Sequence, residues 1–203
     1  MSQRSENLDH VMFEVKSDPI DSYLLELEQT VRNMDRAAIW EATMALFEAW
    51  KNGKQVFLVG NGGSAATASH MANDLNKLTI TTGKARFKAI ALTDSVPLMT
   101  AWGNDSAYED IFSEQLVNFI NPGDVIVAIS ASGNSPNVLK AVRIAKEYGA
   151  TVIALTGDTG GRLKELSDYP VLIPSSHIGQ QEDGHMILDH VMANTLKKWI
   201  EES

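Results

Sequence analysis

Apolar residues in the first part of the chain recur every third or fourth position, as Leu24, Leu27, Val31, Met34, Ala38, Ala42, Leu46 and Trp50. That is the period of an amphipathic helix. The spacing predicts helix over residues 21–50, divided at residues 33–35 and ended by Gly53. Beyond it the pattern changes to short continuous apolar runs, at residues 56–59, 87–92, 125–129, 151–155 and 169–173. Such runs read as strands covered on both faces, and their alternation with helical stretches predicts a parallel sheet between helical layers. Residues 94–97 open a helix that Trp102-Gly103-Asn104-Asp105 is expected to break, and residues 108–119 resume a helical pattern. After a turn at 121–124, helices are expected at 136–148, ended by Gly149, in a short piece after residue 161, and at 182–202.

Length and composition narrow the class. With 203 residues the chain is expected to form one domain, residues 19–203, behind a polar N-terminal arm, residues 1–18. A net charge of −9 argues against a broad nucleic-acid surface, so no nucleic-acid partner is expected. With no cysteine there is no disulfide, and any metal must be held by imidazole, carboxylate or amide groups. No apolar run approaches the roughly 18 residues of a membrane span, and the first residues lack the apolar core of a secretion signal. The expectation is a cytoplasmic protein with no membrane partner.

Two loops at strand ends carry candidate chemistry. After residues 56–59 comes Gly60-Asn61-Gly62-Gly63-Ser64 and then a small-residue helix. Glycines there let the backbone turn sharply and present N–H groups at a helix start, a place for an anion. After residues 125–129 come Ser130, Ser132 and Ser135, three hydroxyls ahead of another helix, which suits a phosphate monoester. The bland alternative for each loop is a tight turn. The first loop lacks the G-x-G-x-x-G spacing of a dinucleotide site, and no G-x-x-x-x-G-K-[ST] phosphate loop is present. In open parallel sheets ligands collect beyond the carboxyl ends of the strands, where both loops lie.

His70 and Asp74 are four apart on the helix after the first loop and share one face. Glu182 and His190, eight apart on the last helix, also share a face, whereas His185 points to another side and reads as structural. His10 and His177 have no partner pattern and read as surface residues.

The two loops together, GNGGS followed by H-x-x-x-[ED] and S-x-SGNS opening a helix, resemble the sugar isomerase (SIS) domain, and within it the phosphoheptose isomerase branch. The resemblance extends over about residues 20–202. It implies an α/β fold, a five-stranded parallel sheet flanked by helices in a flavodoxin-like three-layer sandwich, assembled as a homotetramer with active sites between subunits. It implies an aldose–ketose isomerase converting sedoheptulose 7-phosphate to an aldoheptose 7-phosphate by enediol proton transfer, for heptose and surface polysaccharide biosynthesis. Asn61, Gly62, Gly63, Ser64, Asp105, Ser130, Ser132 and Ser135 match substrate positions, and Asp74 and His190 match the catalytic pair. His70, Asp74, Glu182 and His190 match positions that hold a metal, usually zinc. A metal-free acid/base cluster is the competing account of these four.

Four departures from the family pattern touch the site. Asp74 is one methylene shorter than the family's glutamate, Glu182 replaces an amide, Gly179-Gln180 replace an acidic–basic pair, and Ala131 replaces a threonine. The alternatives from other classes are a non-catalytic SIS tetramer that binds a protein partner, of the replication-initiator-associating type, and a sugar-phosphate sensor. Retention of both Asp74 and His190 favours the enzyme.

Overall fold

A computed structural model describes residues 18–203. His10 and the expected N-terminal arm, except Asp18, lie outside the described residues. Asp18 caps α1, Pro19–Asn33, by accepting the Ile20 N–H at 3.0 Å. The predicted division of the first helix is real, and Asp35 is its cause. Its carboxylate accepts the N–H groups of Ala37 (2.9 Å) and Ala38 (3.1 Å), starting α2, Arg36–Lys51.

From there strands and helices alternate. The order is β1 Gln55–Val59, α3 Gly63–Lys77, β2 Lys88–Ala91, α4 Val96–Asp105, a 3-10 turn at Tyr108–Asp110, and α5 Ser113–Val117. It continues with β3 Val125–Ser130, α6 Pro136–Glu147, β4 Thr151–Thr156, α7 Gly161–Leu166, β5 Tyr169–Leu172 and α8 Ile178–Glu202. All five strands are parallel, in the order β2-β1-β3-β4-β5. The α/β fold with a five-stranded parallel sheet is the one expected.

Successive strand residues point to opposite faces, so the central strands β1, β3 and β4 feed two cores, while the edge strands β2 and β5 feed only one. Val56 and Leu58 pack with Leu46, Met71, Leu75, Leu188, Met192 and Leu196 of α2, α3 and α8. Phe57 and Val59 pack on the other face with Leu116, Val138, Val142 and Leu163 of α5, α6 and α7. Truncating Phe57 or Leu58, both fully buried, to alanine would cost about 2–5 kcal/mol.

Three element boundaries differ from the sequence pattern. Residues 102–105 do not break α4, which runs through Asp105 and closes with the Ser106 N–H on the Trp102 carbonyl at 3.0 Å. A Cβ at Gly103 would meet nothing nearer than 3.7 Å, so this glycine is a helical residue with no special backbone task. Residues 108–119 form a 3-10 turn and one short helix, because buried Asp110 is drawn to Ser106 Oγ (2.5 Å) and Lys140 Nζ. Helix α8 begins at Ile178, four residues before Glu182, with His177 as its cap. His177 is exposed as expected, yet its Nδ1 accepts the Gly179 N–H at 3.2 Å and its ring meets Tyr23 edge-on.

Candidate active site

The carboxyl ends of β1 and β3 are hydrogen-bonded neighbours at the centre of the sheet, where the chain switches direction across it. Both anion loops therefore open on one side. In the first, a Cβ at Gly60 would fall 2.6 Å from the Ser64 carbonyl oxygen, so only glycine permits the turn into α3. Asn61 is fixed by three hydrogen bonds with two residues. Its Oδ1 accepts from Asn137 Nδ2 (2.8 Å) and the Tyr108 hydroxyl (3.1 Å), and its Nδ2 donates to Asn137 Oδ1 (2.9 Å). Asn137 lies in the first turn of α6, so this amide pair joins the two loops. Gly62 caps α3, Gly63 follows it, and Ser64 is buried. The first N–H groups of a helix have no partner within it and face an incoming anion.

In the second loop the hydroxyls converge. Ser130 Oγ lies 3.1 Å from Ser135 Oγ and 3.5 Å from Ser132 Oγ, and Ser132 Oγ also accepts the Asn134 N–H at 3.2 Å. Gly133, with φ +62°, seats this loop against the one after β4. A Cβ there would lie 2.0 Å from the Gly160 carbonyl oxygen. Asp105, at the exposed end of α4, accepts from Asn104 Nδ2 at 2.7 Å; among the described residues it bonds no other predicted site side chain.

His70 stands seven residues beyond Gly63 on α3, about 10 Å along its axis. Around it the packing of α3 on α8 assembles a group of four: His70, Asp74, Asp189 and His190, with donor atoms all within 4.8 Å of one another. His70 Nε2 is 3.2 Å from His190 Nε2, 3.7 Å from Asp74 Oδ2 and 3.9 Å from Asp189 Oδ2. Ligands at the corners of a zinc tetrahedron with bonds of 2.0–2.1 Å stand about 3.3–3.4 Å apart. The donor set, two imidazoles and two carboxylates, suits a borderline divalent ion.

Three of the four predicted metal positions, His70, Asp74 and His190, are thus brought together. Glu182 is not in the group. It lies two helical turns before His190, with its carboxylate over the start of α3, where a Cβ on Gly63 would fall 2.6 Å from Oε1. Asp189 takes part instead. It was legible only as a carboxylate on the face of α8 that carries Leu188, Met192 and Leu196. Asp189 is fully buried, and neither carboxylate oxygen has a hydrogen-bond partner among the described residues. Burial, with Asp74 adding repulsion, pushes its carboxyl up to about 7.

The remaining predicted features resolve as structure. His185 is fully buried and neither ring nitrogen has a partner of good geometry; burial pushes its imidazole down to about 4, the nearby Thr156 carbonyl offsetting this only in part. Gln180, which replaces a basic residue of the family, turns into the α1 interface. It donates to Glu26 Oε2 (3.0 Å) and accepts from Ser175 Oγ (2.7 Å). Sequence reading also missed Asn137 and Tyr108, the residues that hold Asn61.

Comparison with known proteins agrees with this architecture. The SIS domain family matches residues 22–157. A phosphoheptose isomerase of Trichlorobacter lovleyi is 38% identical over 163 residues, 80% of this chain and 82% of the relative. Another, of Nitratiruptor sp., is 37% identical over 187 residues, 87% of this chain and 96% of the relative. The solved phosphoheptose isomerase of Neisseria gonorrhoeae superposes with a TM-score of 0.80 at 31% identity, covering 88% of this chain and 97% of that one.

Proposed function

The chain belongs to the SIS domain family, and we propose that it works as a phosphoheptose isomerase, interconverting sedoheptulose 7-phosphate and an aldoheptose 7-phosphate. The observation that carries this reading is the spacing of the site. Two anion loops meet at one end, and the group around His70 lies about 10 Å away along α3. A ligand gripped by its phosphate at the loops and reacted at the cluster must be a chain of several carbons.

Ser64, Ser130, Ser132 and Ser135, with the first N–H groups of α3 and α6, grip the phosphate. Asn61, fixed by Asn137, lines the path of the sugar chain, and Asp105 lies at its edge. In the ketose-to-aldose direction Asp74 takes a proton from carbon 1 while His190 gives one to the oxygen on carbon 2. The resulting enediol collapses when Asp74 returns its proton to carbon 2 and the hydroxyl on carbon 1 loses its own to His190. Asp74 is mostly buried, with 14% of its side chain exposed, so its carboxylate works where water competes little. A non-catalytic role is disfavoured by the same geometry, since Asp74 and His190 share one cluster.

The cluster also supports a zinc site. His70, Asp74 and His190 are the residues common to the sequence pattern and the assembled group. A zinc ion held there would supply Lewis-acid polarisation of the two sugar oxygens. The closeness of the two Nε2 atoms and the orphaned oxygens of Asp189 favour a cation over a metal-free acid/base cluster.

Assembly as a homotetramer is supported by exposed apolar side chains: Ile20, Leu24 and Leu25 on α1, Trp40 on α2 and Val191 on α8. Among the described residues no helix is long and apolar enough to cross a membrane. The lack of cysteine fits a reducing, cytoplasmic setting. Incubation with sedoheptulose 7-phosphate, followed by chromatography, tests the reading. An aldoheptose 7-phosphate should appear until equilibrium is reached, and unchanged substrate at high protein concentration would refute it.

A further inference from the structure

Asp189 stands apart from every other acidic residue of the site. It is fully buried, on the face of α8 that packs against α3, and both its oxygens lack a hydrogen-bond partner among the described residues. An isolated carboxylate in such a place is strongly disfavoured unless a proton or a cation neutralises it. A proton does not complete the environment. The new hydroxyl would need an acceptor, and the nearest ring nitrogen, His70 Nε2, is 3.9 Å away, beyond hydrogen-bonding reach. A cation among the four donors satisfies Asp189, Asp74 and both facing imidazole nitrogens at once.

Glu182 does not occupy that place. It precedes His190 by eight residues, about 12 Å along α8, and its carboxylate rests over Gly63 at the opposite end of the site from His70. We infer that Asp189, rather than Glu182, is the fourth protein donor to a divalent cation held by His70, Asp74 and His190, leaving Glu182 beside the phosphate loop. The inference rests on the reading of the cluster as a cation site. The two carboxylates, once ionised, carry two negative charges, which a dication cancels. The all-nitrogen-and-oxygen donor set accepts zinc or cobalt.

The test uses the full chain, stripped of metal and then titrated with Zn²⁺ against a chromophoric chelator, and separately with Co²⁺ to read its visible absorption. The unaltered chain should bind one ion per chain, with the intense cobalt bands of a four-coordinate site, and the ion should raise its melting temperature. Asp189→Leu should lose more than about 100-fold in affinity, beyond the loss expected on removal of an outer-shell partner, together with the cobalt bands. Glu182→Gln should bind within about three-fold of the unaltered chain.

Melting of the metal-free variants separates lost binding from lost folding. Asp189→Leu, freed of an orphaned charge, should melt at or above the metal-free parent. If it does not melt cooperatively, Asp189→Asn is read in its place, with a loss of at least about ten-fold expected. Full affinity in the Asp189 variant, or loss in Glu182→Gln alone, would overturn the assignment while leaving the cation site standing. Failure of the unaltered chain to bind either ion would remove the cation reading itself, and the inference with it.

Discussion

Replacing the buried His185 with leucine should change how stability depends on pH, by an amount set by its burial. The imidazole is held at about 4, against 6.5 in the unfolded chain, because the interior solvates its cation poorly. Between those values the unfolded chain binds the proton and the folded chain does not, so the unfolding free energy falls as pH is lowered through the window. From pH 7.5 to pH 4.5 the loss assignable to His185 is about 2.5 kcal/mol. In the metal-free chain Asp189 acts in the opposite sense, since its folded-state carboxyl is raised to about 7 and the folded chain holds the extra proton between about 4 and 7. The parent's own pH profile therefore mixes two opposing slopes. The difference between parent and His185→Leu isolates one of them, because the packing change on substitution is the same at every pH. Urea unfolding monitored by far-ultraviolet circular dichroism, at one protein concentration and at several pH values, measures it. The parent's stability relative to the variant should fall by about 2.5 kcal/mol on acidification. A difference constant across the range would mean that His185 titrates as an exposed imidazole, and the account of its burial would fail.

Asp74→Asn and His190→Gln should each lower kcat by about 10²–10⁴ while leaving KM within a few-fold, as expected for groups that act on protons in the transition state. Steady-state kinetics with sedoheptulose 7-phosphate checks this, and wild-type turnover in either variant would move the chemistry elsewhere. Joint replacement of Ser132 and Ser135 by alanine should weaken sugar-phosphate binding by roughly 1.5–3 kcal/mol per lost charge-assisted hydrogen bond, measured by calorimetry, with the fold intact. Glu182→Gln removes a carboxylate beside the N-terminus of α3 and should lower KM by about five-fold, from roughly 1 kcal/mol of relieved repulsion toward the phosphate. An unchanged or raised KM would place the phosphate away from Glu182.

The central strands β1, β3 and β4 were legible because they are buried on both faces and so write themselves as unbroken apolar runs, whereas the edge strand β2 buries Ala89 and Ala91 on one face and exposes Lys88 and Ile90 on the other. The division between α1 and α2 was legible as well, since Asp35 both interrupts the apolar spacing and caps the second helix. The run at Tyr108–Phe119 misled because its helical spacing is overruled by one tertiary link, Asp110 to Lys140, which no local pattern encodes. Within the site, His70 with Asp74 could be paired from their spacing on one helix. Glu182 with His190 could not be placed so simply: a shared helix face fixes direction but leaves residues eight apart separated by about 12 Å. Asp189 was hidden for the opposite reason. Its neighbour His190 is exposed on the same helix, and only the packing of α8 on α3 brings both to His70.

Isomerisation run in deuterium oxide reads proton transfer by Asp74 directly. With sedoheptulose 7-phosphate as substrate, the product should be an aldoheptose 7-phosphate carrying solvent deuterium at carbon 2, seen by mass and by loss of the corresponding proton resonance, and no such product should form with Asp74→Asn. Turnover by the parent with no deuterium in product or recovered substrate would argue against proton exchange at Asp74, and absence of any product would contradict the assignment as an isomerase.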